Sequence, residues 1–138
     1  MTLTVSYSDR APRVYGPYSQ AITVGDLIYT SGQIPLDPVS MEVVAGGIEE
    51  QATQAIANLR AVLQTAGSDL DRVVKTTVFL VDLADFAGLN EAYVAAFEDH
   101  RPARSTVGVS SLPRGVRVEI EAVAVRRLVS PGALVATR

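Results

Sequence analysis

Apolar positions along this chain recur with two different spacings, and the places where one gives way to the other divide it into strands and helices. Residues 26–32, Asp26-Leu27-Ile28-Tyr29-Thr30-Ser31-Gly32, predict a short strand stopped by Gly32 and then by Pro35. Asp37-Pro38-Val39-Ser40-Met41 reads as a proline-containing turn. After Gly46-Gly47 the period lengthens. Ile48, Ala52, Ala55, Ile56, Leu59, Val62, Leu63 and Ala66 follow steps of three and four, the apolar stripe of a helix. Glu49, Glu50, Gln51, Arg60 and Gln64 take its opposite side, and Gly67 stands where a left-handed residue ends it. Residues 73–81 are almost all β-branched or apolar, the pattern of a central strand buried on both faces. A second helix follows, with Asp82 as N-cap, Asp85 in its first turn, and Phe86, Leu89, Tyr93 and Phe97 as its buried stripe. Strands near 104–109 and 117–127 complete an α+β sandwich with both helices on one face of the sheet. The domain is expected to end at residue 127, leaving 128–138, with Pro131-Gly132, as a flexible or loosely docked tail.

Alternation along the last two strands adds candidate chemistry. Val118, Ile120, Ala122 and Ala124 share the face suited to pack under helices, and Arg117, Glu119, Glu121, Val123 and Val125 share the other. On the preceding strand Arg104, Thr106 and Gly108 separate from Ser105, Val107 and Val109. This pattern is taken to put Arg104 beside the glutamates on one charged face. Spacing leaves two readings open. The face is solvated, with surface ion pairs worth about 0–1 kcal/mol; or it walls a cleft in which Arg104 offers a two-pronged donor to a carboxylate and Glu119 or Glu121 acts as acid or base.

Composition narrows the classes. The 138 residues suit one domain, which buries roughly 68% of its unfolded surface. With no cysteine there is no disulfide, thiolate metal site or thiol nucleophile. A net charge of −3 argues against a nucleic-acid partner. No apolar run is long enough to span a membrane, and Met1–Val5 do not read as a signal peptide, so a cytoplasmic protein is expected. His100, the only histidine, falls at a helix end where a cation suits the dipole, and is expected to cap that end or face solvent. Phosphate-loop and dinucleotide motifs are missing, and the acidic residues lack metal-ligand spacing. The hydroxyls of Tyr18, Ser31 and Thr106 have no activating base that the sequence reveals.

GPYSQA at 16–21, SGQIP at 31–35, PARSTV at 102–107 and VEIEAVAV at 118–125, with VVKTTVFLVDLADFAGLNEAY at 73–93, together resemble the RidA/YjgF family over residues 5–127. The resemblance implies a chorismate-mutase-like fold, a mixed sheet backed by two helices, assembled as a homotrimer with clefts between neighbouring subunits. It implies hydrolysis of reactive 2-imino acids such as 2-iminobutanoate and 2-iminopropanoate to 2-keto acids and ammonia, with no cofactor and no metal. Arg104 would bind the substrate carboxylate and Glu119 would position or deprotonate water. Tyr18, Ser31 and Gly32 would line the pocket, Asn90 would sit at its edge, and the Thr106 backbone would hold the imine nitrogen. The alternatives are a deaminase for a related enamine such as aminoacrylate, and a non-catalytic metabolite-binding, chaperone-like or RNA-directed trimer. This chain departs from the family pattern at three positions: Thr106 replaces a frequent cysteine, Met41 a frequent turn glycine, and Tyr15 an aliphatic residue.

Overall fold

A computed structural model describes residues 2–127, so the tail expected over 128–138 lies outside the described residues. Six strands, β1 (Leu3–Ser6), β2 (Ala21–Val24), β3 (Leu27–Thr30), β4 (Val73–Leu80), β5 (Ala103–Gly108) and β6 (Val118–Val125), form one sheet in the order β1-β2-β3-β6-β4-β5. Neighbours are antiparallel except β4 and β5, which run parallel because α2 (Phe86–Phe97) returns the chain between them. α1 (Ile48–Thr65) spans the loop between β3 and β4 and ends at Gly67, whose φ of +90° supplies the left-handed stop. This is the mixed α+β sheet that the sequence predicts. β1 and β2, four residues each, are too short to announce themselves by periodicity.

The core lies between the helices and one sheet face. Ile28, Val78, Leu80, Val118, Ile120, Ala122 and Ala124 meet Ala52, Ala55, Ile56, Leu59, Val62 and Leu63 of α1 and Leu89, Tyr93 and Phe97 of α2. Burying each large aliphatic chain stabilises by about 1.5–3 kcal/mol. The other face is only partly covered. On β4 the buried residues Val73, Thr76, Val78 and Leu80 are interspersed with half-buried Lys75, Thr77 and Phe79. The apolar run at 73–81 is therefore covered on one face, not on both. Among the described residues, no helix is long and apolar enough to cross a membrane.

Three local expectations change. Asp82 does cap, accepting from the Ala84 N–H at 2.9 Å, but what it starts is one turn of 3₁₀ helix at Leu83–Asp85, and α2 begins at Phe86. Gln51 is buried instead of facing solvent, because its Oε1 accepts the Arg117 N–H at 2.8 Å just before β6 begins. His100 is half-buried, and its Nε2 lies 2.7 Å from the Val73 carbonyl oxygen, tying the end of α2 to the start of β4.

A further polar group braces the loop after β3. Asn58 on α1 is 1% exposed; its Nδ2 donates to the Ile34 and Leu36 carbonyls at 3.0 and 2.9 Å, and its Oδ1 accepts from Gln54 Nε2. Asn58→Ala leaves the Leu36 carbonyl without a donor, while the Ile34 carbonyl keeps the Leu36 N–H, and should lower the free energy of unfolding by about 2 kcal/mol. Arg60→Ala on the exposed side of the same helix, which removes an ion pair to Asp69, should cost no more than about 1 kcal/mol. Urea titration at fixed protein concentration checks both, and equal losses would contradict the bracing role.

Candidate functional site

The open sheet face gains its concavity from a bulge. Pairing of β3 with β6 runs as far as Tyr29 opposite Val123 and resumes at Gln33 opposite Ile120. Four steps on one strand thus match three on the other, so one extra residue is accommodated at Ser31-Gly32. The Thr30 hydroxyl covers the gap by accepting the Ala122 N–H at 3.0 Å. Gly32 is pressed against Glu119 so closely that a Cβ there would lie 2.7 Å from the carboxyl carbon. Only glycine leaves room for that carboxylate.

Ser31 is held from behind. Its Oγ donates to the Ser19 carbonyl at 2.5 Å and its N–H to the Gln20 carbonyl at 2.8 Å, which brings the Tyr18-Ser19 segment alongside. Gln20, 2% exposed, fixes that segment: its Oε1 accepts the Ser8 N–H, and its Nε2 donates to the Ser8 and Pro12 carbonyls. The result is a cavity of about 460 Å³ walled by Tyr18, Ser31, Gly32, Pro113, Glu119 and Glu121. Among the described residues Glu119 has neither hydrogen bond nor ion pair. Partial burial pushes its carboxyl above the ordinary carboxylate range, and repulsion from Glu121 adds to the effect.

A second group of residues gathers at the sheet edge. The Arg104 guanidinium lies 4.8 Å from the ring centre of Tyr93 and 5.4 Å from that of Phe86, both on α2. No carboxylate of the described residues pairs with it. Tyr93 is fixed in turn by the 2.8 Å hydrogen bond between its hydroxyl and Thr76 Oγ1. Asn90, half-buried, falls between Phe86 and Tyr93 on the same stripe of α2. Thr106 sits two residues along β5 with its hydroxyl buried and unpartnered among the described residues. The Val109 N–H bonds inward to the Leu80 carbonyl, so alternation turns the backbone N–H and C=O of Arg104 and Thr106 outward along the free edge.

The two groups do not meet within one chain, which corrects the shared charged face expected for Arg104 and the glutamates. Arg104 lies level with Thr76 and Ala122, residues of the helix-covered face. Glu119 lies level with Phe79 and Val107, and Glu121 with Thr77 and Ser105, on the open face. Alternation sorts the residues of each strand into two sets but does not say which set of β5 matches which set of β6. The register across β4 decides that, and it sends Arg104 and Glu119 to opposite sides. Tyr18, Ser31, Gly32 and Glu119 come together; Arg104, Asn90 and Thr106 come together. Tyr93 is core, as its spacing predicts, and its ring also faces Arg104; Phe86, expected in the buried stripe, is exposed and lies against the same guanidinium. Gln20 and Asn58 leave no signal beyond a polar side chain in an otherwise apolar setting.

Comparison with known proteins then places the chain. The model of the Endoribonuclease L-PSP family matches residues 8–126. A RutC family protein of Pyrococcus abyssi is 49% identical over 124 residues, covering 90% of this chain and 98% of that protein. A mouse protein named 2-iminobutanoate/2-iminopropanoate deaminase is 52% identical over 117 residues, covering 85% of this chain and 87% of its own length. Among solved structures, the E. coli YjgF gene product superposes with a TM-score of 0.85 at 46% identity, covering 90% of this chain and 99% of that one. E. coli TdcF with bound serine gives a TM-score of 0.85 at 41% identity, again covering 90% and 99%. With the family model spanning nearly the whole domain and each of these relatives aligned over most of its length, the chain belongs to the Endoribonuclease L-PSP family, the RidA/YjgF proteins.

Proposed function

We propose that the protein hydrolyses small 2-imino acids such as 2-iminobutanoate and 2-iminopropanoate to 2-keto acids and ammonia, at a site completed when the sheet edge of one copy meets the open face of another. The observation that carries this reading is the complementarity of the two half-sites. Among the described residues, one presents an arginine with no carboxylate partner, the other a carboxylate with no cation. The deaminase name of the mouse relative and the serine bound to TdcF, a small amino acid with a free carboxylate, support the same substrate class. A homotrimer closes such a contact with three equivalent clefts.

In this scheme Arg104 takes the substrate carboxylate through two parallel N–H donors, its plane held by Phe86 and Tyr93. The outward backbone carbonyl of Thr106 receives the imine N–H, and Asn90 borders the carboxylate. Glu119 accepts a proton from water as the water oxygen bonds to C2 and the C=N π pair moves to nitrogen. It returns that proton to the amino nitrogen of the adduct and then takes the hydroxyl proton as the C=O forms and the C–N bond breaks, releasing ammonia. A carboxylate pushed upward in pKa by burial is a better base at neutral pH than an exposed one. Tyr18 and Ser31 supply hydroxyls to water or substrate, with Ser31 limited to accepting because its own proton is held by Ser19. The imine carbon is electrophilic once protonated, so positioning and proton transfer account for the chemistry.

Hydrolysis is measured by generating 2-iminobutanoate with an amino-acid oxidase and trapping surviving imine with semicarbazide. Wild type should deplete the trapped imine. Arg104→Ala should lose most of kcat/KM, and Glu119→Gln should retain 2-keto acid binding while kcat falls by about 10²–10⁴-fold. Binding of 2-keto acids without any hydrolysis by wild type would turn the reading to a metabolite-binding protein.

The acid limb of kcat/KM should lie above the ordinary carboxylate range, and Glu121→Gln, which removes the repelling charge, should move it to lower pH. An unmoved limb would take Glu119 out of the rate law. Stability carries the opposite sign. Because the folded state holds the Glu119 proton more tightly than the unfolded chain, this group favours folding below about pH 4.3 and loses that contribution as pH rises through the raised value. Glu119→Gln should therefore raise Tm near about pH 7 and leave it unchanged near about pH 4, as thermal melts at the two pH values would show.

A further inference from the structure

A second cavity, of about 200 Å³, adjoins the Glu119 cavity at Tyr18, Gly32 and Ile34, which line both. Its floor is apolar, built from Val14, Ile34, Leu36 and Met41, and it is the more enclosed of the two. At roughly 30 Å³ for a water-sized group, it holds about six of them.

Two arginines border this cavity, and both are solvent-exposed. Arg13 donates through Nε and Nη2 to the Tyr15 hydroxyl at 3.2 and 3.1 Å, with its guanidinium 5.9 Å from the ring centre. Arg114 donates to the Met41 carbonyl at 3.2 Å and pairs with Glu42 at 3.7 Å. Both guanidinium groups are solvent-exposed, so an acid-ended guest entering the apolar floor would leave them behind, and burying its charge unpaired is unfavourable. An apolar guest meets no such penalty. The wall is also held in place at some conformational expense. Met41 and Arg114 are both non-glycine residues in the left-handed region, with φ of 63° and 60°, and the hydrogen bond between them braces one against the other.

We propose that this second cavity receives the side chain of the imino acid and selects long apolar side chains over short ones. The inference rests on the hydrolytic reading above. With C2 beside Glu119 and the carboxylate drawn towards a neighbouring copy's Arg104, the remaining substituent of C2 is the side chain, and this cavity is the enclosed apolar space next to Glu119. Tyr18 and Gly32 then act twice, lining the reacting centre on one side and the specificity pocket on the other.

The test compares kcat/KM for imines generated by an amino-acid oxidase from leucine, phenylalanine and alanine. Wild type should prefer the leucine-derived imine over the alanine-derived one by at least about tenfold. Val14→Phe, which fills the floor, should reduce that ratio by about tenfold or more. Met41→Gly shortens the wall and relieves its left-handed backbone, and should raise the phenylalanine-to-alanine ratio; it keeps the test decisive if the bulkier variant folds poorly. Ratios unchanged in Met41→Gly and in any folded Val14→Phe, with alanine-derived imine still hydrolysed, would overturn the pocket and leave the deaminase reading standing. A wild type that hydrolyses none of the three would overturn both.

Discussion

The register of the three strands β6, β4 and β5 is the constraint on which the rest of this structure depends. Side chains of a strand alternate between faces, so once Thr76 is level with both Ala122 and Arg104, the arginine is committed to the helix side and Glu119 to the open side. A single shift of β5 against β4 would reverse this and place the cation beside the glutamates. The helix side can hold a guanidinium because β5 is an edge strand and α2 offers two aromatic rings for it to rest on. Neither group finds an ionic partner among the described residues, and each is left with an interaction that a ligand could complete.

Around that register the fold spends polar side chains on holding loops still. Gln20 ties the segment bearing Tyr18 to the chain at Ser8–Pro12, Asn58 holds the loop at Ile34–Leu36, and Gln51 fixes the entry to β6. These residues hold chain segments next to the Glu119 cavity without lining it. The bulge at Ser31-Gly32 is the other device: it drops one residue out of the ladder, and the absence of a Cβ lets a carboxylate occupy the vacated space. Keeping Glu119 partly buried opposes its ionisation, the property the proposed base role draws on.

Much of this was legible in the residues themselves. Helix periodicity located α1 and its glycine stop, and the β-branched run located β4, because long elements repeat their pattern enough times to be read. β1 and β2 were not, and β3, equally short, was located only with its Gly32 and Pro35 stops. Motif resemblance brought Tyr18, Ser31, Gly32, Arg104 and Glu119 onto one page, but alternation wrongly set Arg104 beside Glu119, since strand pairing is a non-local property that no single strand encodes. The aromatic platform under Arg104 was hidden for a related reason: Phe86 fits the core stripe of a helix as well as Tyr93 does, and only the packing of α2 beside β5 shows that Tyr93 is buried while Phe86 is exposed against the guanidinium. Gln51 was misplaced because helical phase could not reveal that an amide on the far side meets the chain entering β6.

The central claim, that one site needs Arg104 from one copy and Glu119 from another, is tested most directly by complementation. Arg104→Ala and Glu119→Ala chains are each assayed alone and then after co-expression, using trapped 2-iminobutanoate as the readout. Each variant alone should be nearly inactive, whereas random mixing in a cyclic trimer should restore about a quarter of the wild-type sites, because every mixed trimer regains one intact cleft. Mixed assemblies that form but remain as inactive as the separate variants would contradict it.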